Sequence, residues 1–141
     1  SLQYDDTLDI SSLYGPYMFA RLPLNDPRME STFEQIKQRL WNASPIGGVI
    51  RYPGDGYFLA KQQYAGNPWI VCTLWLAQYF SSLGDSQQAA GLIQWALARK
   101  LSSGIMSEQF DPDSGEAISV APLVWSHAEF INTVLDASKI E

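Results

Sequence analysis

The stretch Asn67-Pro68-Trp69-Ile70-Val71-Cys72-Thr73-Leu74-Trp75-Leu76-Ala77-Gln78-Tyr79-Phe80-Ser81-Ser82-Leu83-Gly84 decides the fold. An Asx residue followed by proline is a helix start, because the side-chain oxygen caps free N–H groups and proline costs nothing at the first helical position. Gly84 is the matching stop signal. Wound as a helix, the segment is apolar on much of its circumference, so it should be deeply buried among other elements. Outward from it, the chain reads as more helices. Downstream, Asp85 or Ser86 caps a fourth helix carrying Ala89, Leu92, Ile93, Ala96 and Leu97, with Gly104 past its end. A last helix runs from about Ala121 to Leu135, with Phe130, Ile131, Val134 and Leu135 apolar.

Upstream, Asp26-Pro27 repeats the Asx-Pro start. Ser31 and Glu34 have capping-box spacing and offer a competing start one turn later. Phe33, Ile36, Leu40 and Trp41 form the apolar stripe of this second helix, and Asp9 caps a first one through Ile10, Leu13, Tyr17, Met18 and Ala20. Between helices two and three, residues 42–65 lack helical periodicity and are rich in Gly and Tyr, which predicts a long loop with room for a short hairpin. Residues 104–118 form a second, polar loop. Loops of this length inside compact domains are usually functional. They precede helices three and five, so in an array of helical hairpins both fall on one face. The expectation is an all-α fold of about five helices.

The 141 residues suit one domain, and 46% apolar against 17% charged residues predicts a packed core rather than disorder. The net charge of −6 argues against a nucleic-acid partner or an anionic membrane surface, both of which need clustered Lys and Arg. A neutral ligand such as a sugar is compatible with it. Five Trp and seven Tyr suit core packing and also suit stacking on pyranose faces, and composition does not choose between these. Cys72, the single cysteine, sits in an apolar run as a small hydrophobe and favours a reducing compartment, and with it the cytoplasm. The opening residues show no signal-peptide pattern, and no apolar run reaches membrane-spanning length.

Four separated segments then carry chemistry. Arg51-Tyr52-Pro53-Gly54-Asp55 is followed by Gly66-Asn67-Pro68-Trp69, by Met106-Ser107-Glu108-Gln109-Phe110-Asp111 and by Pro122-Leu123-Val124-Trp125-Ser126-His127-Ala128. In this order and spacing they resemble family 15 glycoside hydrolases, the glucoamylases and their bacterial and archaeal relatives. The resemblance extends over nearly the whole chain. It implies the last five or so helices of a twelve-helix (α/α)6 barrel, the C-terminal part of a glucoamylase-like catalytic domain, without the upstream segment that carries the family's general acid.

The resemblance implies that Glu108 is the general base of an inverting glycosidase, an enzyme that needs a protonated acid and an ionised base about 6.5–9.5 Å apart with a water between base and sugar. Taken alone, Glu108 reads as a solvated loop acid; the surrounding motif reverses that reading. Arg51 resembles the family's sugar-binding arginine, its rigid fork of donors suiting vicinal hydroxyls. A surface ion pair is the plainer alternative. Asp55 is placed to hold Arg51, with Tyr52 packing beside it. Trp69 and Trp125, each at the beginning of a helix, are candidates for the sugar-binding wall, with helix packing the alternative for each, and Gln109 is a candidate for direct contact with substrate. His127, the only histidine, reads as a packing residue, since one His without a thiol cluster makes no metal site. No cofactor is implied. Asp111-Pro112-Asp113-Ser114-Gly115 reads as an Asx-type turn rather than a calcium loop, because the position-twelve Glu is missing. Asn42-Ala43-Ser44 fits a glycosylation sequon, a common triplet that Pro45 follows.

The implied activity is release of glucose from the non-reducing ends of starch- or glycogen-like α-glucan oligosaccharides. Two alternatives stand beside it: trehalose or an α-1,6-glucan as substrate, and a non-catalytic binding or regulatory relative like the regulatory subunits of phosphorylase kinase. A partial barrel leaves apolar faces uncovered, which predicts that the missing N-terminal part of the barrel or self-association covers them. A base without its acid predicts an inactive isolated chain.

Overall fold

A computed structural model describes residues 5–139; the very first residues of the segment read for a leader lie outside the described residues. Helix α1 spans Ser11–Met18, α2 Pro27–Arg39, α3 Ile70–Ser82, α4 Ser86–Leu97 and α5 Val124–Ala137. Two of the sequence signals act as written. Asp26 accepts a hydrogen bond from the Arg28 N–H with Pro27 at the first turn, and Asp85 accepts from the Gln88 N–H. Both are local, requiring nothing beyond neighbouring residues. The later Ser31 start is not used, and α1 ends two residues short of Ala20, which takes a left-handed φ of 49°. None of the described helices is long and apolar enough to cross a membrane.

Asn67-Pro68 corrects the expectation for α3. The helix begins at Ile70, and Trp69, with extended backbone, occupies the N-cap position without a side-chain cap. Residues 68–69 are instead a strand. Strands β1 (Val49–Ile50), β2 (Pro68–Trp69), β3 (Gln109–Phe110) and β4 (Ala117–Ile118) form an antiparallel sheet in the order β1-β2-β3-β4. Val49 pairs with Trp69, Trp69 with Gln109, and Gln109 with Ile118. The Ile70 N–H, one of the donors a helix start leaves over, goes to the Glu108 carbonyl at 3.2 Å. The sheet thus sews the loop before α3 to the loop before α5, so that both long loops share one region. The all-α expectation holds for the scaffold, with this small sheet added where the loops meet.

Helix α3 is the buried hub predicted from its composition. Ile70, Leu74, Leu76 and Ala77 are fully enclosed, and α1, α4, α5 and the sheet all pack on it. Asn42 and Gly48 close the turn after α2, and here glycine is obligatory. Gly48 has φ 81°, and a Cβ there would lie 2.4 Å from Cζ2 of Trp95. Trp95 has little freedom to yield: its Nε1–H donates to the Ile46 carbonyl at 2.7 Å, Arg99 lies 4.1 Å above its ring and Phe110 meets it edge-on.

Helix α5 departs from the pattern of a surface helix. Its buried residues are the polar Ser126, Glu129 and Thr133, whereas Val124, Ile131 and Leu135 are exposed. The buried face is satisfied by pairing with α3: Gln78 Nε2 donates to Glu129 Oε2 at 2.9 Å and to Thr133 Oγ1 at 3.0 Å.

Candidate active site

The loop after β1 builds its site around a buried carboxylate. Asp55 is 1% exposed and accepts from Arg51 Nε at 3.0 Å and from Arg51 Nη2 at 2.8 Å, the two-pronged geometry that fixes a guanidinium plane. It also accepts from the Tyr57 N–H at 3.1 Å, which ties the loop to itself. Above the guanidinium sits an aromatic box, with the Trp69 centroid at 4.6 Å, Tyr52 at 4.8 Å and Tyr57 at 5.7 Å. Burial works against the Arg51 cation, but the bonds and charge of Asp55 outweigh it and raise its pKa. Arg51 keeps about a third of its side chain in water, and its Nη1 makes no hydrogen bond to any described residue. It is therefore held from one edge and open on the other.

Glu108 lies one residue before β3. Its backbone N–H donates to the Val120 carbonyl at 2.9 Å and its carbonyl accepts from Ile70, so the main chain is pinned on both sides. Its carboxylate is held asymmetrically. Oε2 accepts from Gln109 Nε2 at 3.2 Å and from Ser119 Oγ in a short hydrogen bond, while Oε1 has no partner among the described residues. Gln109, a candidate for direct contact with substrate, is fully buried, and its Oε1 accepts from Asn67 Nδ2 at 2.8 Å.

Ser119 was not among the residues the sequence singled out. The signal for it lies in the turn. Asp111 Oδ1 accepts from the N–H groups of Asp113 and Ser114, the predicted Asx turn, and the hairpin it closes places residue 119 across from residue 108. Ser119 has φ 64°, a non-glycine residue in the left-handed region, and such backbone concentrates at functional sites.

Between α1, β2, α3 and α5 lies a cavity of about 100 Å³ lined by Asp9, Ser11, Arg51, Trp69, Trp75 and Trp125 among others. Trp69 is almost entirely buried, and its Nε1–H finds no acceptor among the described residues. Trp125 is about half exposed, packs edge-on against Trp75 at 5.5 Å and donates through Nε1 to Glu129 Oε1 at 3.2 Å. Trp75 in turn stacks on Tyr14 at 4.4 Å. Of the predicted residues, the cavity therefore gathers Arg51, Trp69 and Trp125. Asp55 binds the edge of Arg51 and Tyr52 packs on its guanidinium. Glu108 and Gln109 do not line the cavity; they sit just before and at the start of the adjoining strand β3, where Gln109 is the register partner of Trp69. Asp9 and Ser11 come from just before and at the start of α1 and Trp75 from α3, and the packing of these two helices brings them to the cavity. Cys72 also borders the cavity, and burial pushes its thiol pKa well above the usual value. His127 Nε2 accepts from the Met106 N–H at 3.0 Å, a packing role, and no group of three metal-ligating side chains occurs among the described residues.

A hub helix packed against α1, α4 and α5, with acidic, guanidinium and indole groups gathered near its start, is the architecture of part of an (α/α)6 barrel. The fold matches that of a bacterial glucoamylase solved in complex with acarbose, with a TM-score of 0.79 and 26% identity over 96% of this chain and 20% of that one. Residues 77–135 match the profile of the Glycosyl hydrolases family 15. An uncharacterized glycosyl hydrolase of Methanocaldococcus jannaschii is 33% identical over 96% of this chain and 23% of its own length. Trehalase 2 of Sulfolobus acidocaldarius is 25% identical over 96% of this chain and 22% of its own. The chain is thus similar to family 15 glycoside hydrolases over residues 77–135 and to a glycosyl hydrolase and a trehalase over 96% of its length, and it spans less than a quarter of the length of these curated relatives.

Proposed function

We propose that this chain carries the base half of the active site of an inverting glycoside hydrolase that removes glucose from the non-reducing ends of α-linked oligosaccharides, as the C-terminal part of the barrel, with the general acid supplied by residues outside it. The observation that carries this reading is the one-sided grip on Glu108. Two donors converge on Oε2 and leave Oε1 unengaged, the arrangement a carboxylate needs to take a proton from a water while staying fixed in orientation. Arg51 fits the role of sugar anchor: its Asp55-bound edge is spent inside the protein and its Nη1 edge is free for hydroxyls. The unpartnered Trp69 N–H is a further donor available to a hydroxyl, and Trp125 offers a half-exposed indole face.

The test is Glu108→Gln in the full-length gene product, assayed on maltose, isomaltose and trehalose. Loss of the base should lower kcat by about 10²–10⁴-fold with the fold unchanged by circular dichroism. Near-normal turnover would sink the assignment. The substrate panel is needed because the similarity to a trehalase favours a second reading in which trehalose is the substrate; hydrolysis of trehalose but not maltose selects it. A wild-type protein that binds maltooligosaccharides and cleaves none of the three would replace both readings with a binding role. The exposed apolar side of α5 is, on this reading, covered by the remainder of the barrel, or by a second copy when residues 1–141 are isolated. A strictly monomeric isolated chain at high concentration in sedimentation would contradict that.

A further inference from the structure

We infer that Asn67 is a positioning residue that sets the polarity of the hydrogen bonds holding Glu108, acting through Gln109; this rests on the reading of Glu108 as the base. Asn67 is 1% exposed, and its amide is fully engaged. Its Oδ1 accepts from the Ala60 N–H at 3.1 Å, and its Nδ2 donates to the Phe58 carbonyl at 2.9 Å and to Gln109 Oε1 at 2.8 Å. The two backbone groups allow only one orientation of this amide, because an N–H must meet an oxygen and a carbonyl must meet an N–H. With Asn67 so oriented, Gln109 must turn its oxygen toward Asn67 and its Nε2–H₂ toward Glu108 Oε2, 3.2 Å away. A Gln109 amide turned the other way would set two donors against each other at one end and two acceptors at the other.

The backbone of residues 58–60 therefore fixes, through two buried amides, that the carboxylate meets a donor on this side. The same loop carries Tyr57, which stacks on Trp69 at 6.0 Å and reaches Arg51. Asn67 thus joins the segment that boxes the arginine to the strand that bears the base.

The experiment is Asn67→Asp in the full-length gene product, measured on whichever of trehalose and maltose the wild type hydrolyses. An aspartate keeps the shape but donates nothing to Gln109, so the amide turns and presents an acceptor to Glu108. The expected result is a fall in kcat of at least about tenfold with KM within about twofold, the signature of a disturbed reacting group rather than weakened binding. The same change is made in a Gln109→Leu background, where Ser119 still donates to Glu108 and no amide remains to be turned. There Asn67→Asp should cost nothing further in kcat. An equal loss in both backgrounds would mean that Asn67 only supports the loop, and the inference is overturned. It is equally overturned by wild-type kcat in Asn67→Asp when Glu108→Gln is inactive. An active Glu108→Gln removes the reading of the base, and this inference with it. Should Asn67→Asp fail to fold, Asn67→Ala enters the same cycle: it frees Gln109 to turn, and a loss of about threefold or more confined to the Gln109 background is the expected result.

Discussion

Gly48→Ala separates two costs that are usually confounded, backbone strain and steric overlap. At φ 81° the added methyl group meets left-handed strain, which costs about 1–2 kcal/mol for a residue with a Cβ. It also arrives 2.4 Å from Cζ2, 2.8 Å from Cε2 and 2.9 Å from Cη2 of Trp95, against about 3.5–4.0 Å for comfortable carbon contacts. The indole would have to retreat by about 1 Å, yet it is tied to Ile46, covered by Arg99 and set edge-on to Phe110. Overpacking of this kind adds about 1–3 kcal/mol. The sum is about 2–5 kcal/mol, or a fall in Tm of roughly 5–20 °C for a domain of this size. Gly54 supplies the control, with φ 84° and nothing within 4 Å of its would-be Cβ. Gly54→Ala pays the strain alone, about 1–2 kcal/mol. Urea unfolding followed by Trp fluorescence, with both variants and wild type side by side, reads the difference. Equal losses in the two variants would refute the argument, since they would mean that Trp95 yields freely and that its three contacts do not hold it.

Asp55→Asn keeps the shape and removes the charge beneath Arg51. It should lower stability by about 2 kcal/mol, less than a fully buried ion pair would because Arg51 is partly in water, and it should raise KM while affecting kcat less. Thermal melts and steady-state kinetics on the full-length protein check both. Tyr14 predicts an alkaline limit. Burial, then the charge of Glu129, pushes its phenol up to about 12 from an ordinary 10.0. A folded-state pKa above the unfolded one stabilises below about pH 10, and that contribution is lost as pH rises toward about 12. Urea midpoints at about pH 9 and about pH 11 should therefore fall more in wild type than in Tyr14→Phe; equal falls would exclude Tyr14 as a source.

The parts of the fold legible in the sequence are those decided within one turn of chain. Asp26-Pro27 and Asp85 announce helices because their caps reach only two or three residues. Asn67-Pro68 bears the same signature and makes no cap, because the Asn67 amide is claimed by Phe58, Ala60 and Gln109 and Pro68 pairs with Ile50 of β1. Those partners lie seven to forty-two residues away, beyond any local pattern. The two-residue strands were illegible for the same reason: only their pairing defines them. In the site, Arg51 and Asp55 stand four apart and were readable as a pair, whereas Ser119 required knowing the register of the β3–β4 hairpin. Gln109 shows the limit of motif reading, since adjacency to Glu108 says that it matters but not whether it faces inward. The apolar residues of α5 were visible in the sequence; that its inward face would be polar was not, because the decisive partner, Gln78, belongs to another helix.

That pairing of α3 with α5 has a consequence for alignment. A helix as uniformly greasy as α3 offers its neighbours many nearly equivalent seats, and hydrocarbon contact alone distinguishes them poorly. Gln78 against Glu129 and Thr133 works as a key with one notch. A slide of α5 by a single turn would carry Glu129 and Thr133 away from Gln78 and lose both hydrogen bonds, at about 0.5–1.5 kcal/mol for the neutral one and about 1.5–3 kcal/mol for the one to the carboxylate. The other end of that carboxylate holds the Trp125 indole. One buried acid, remote from Glu108 in the chain, thereby fixes the axial seat of a whole helix and the tilt of the indole at the cavity edge.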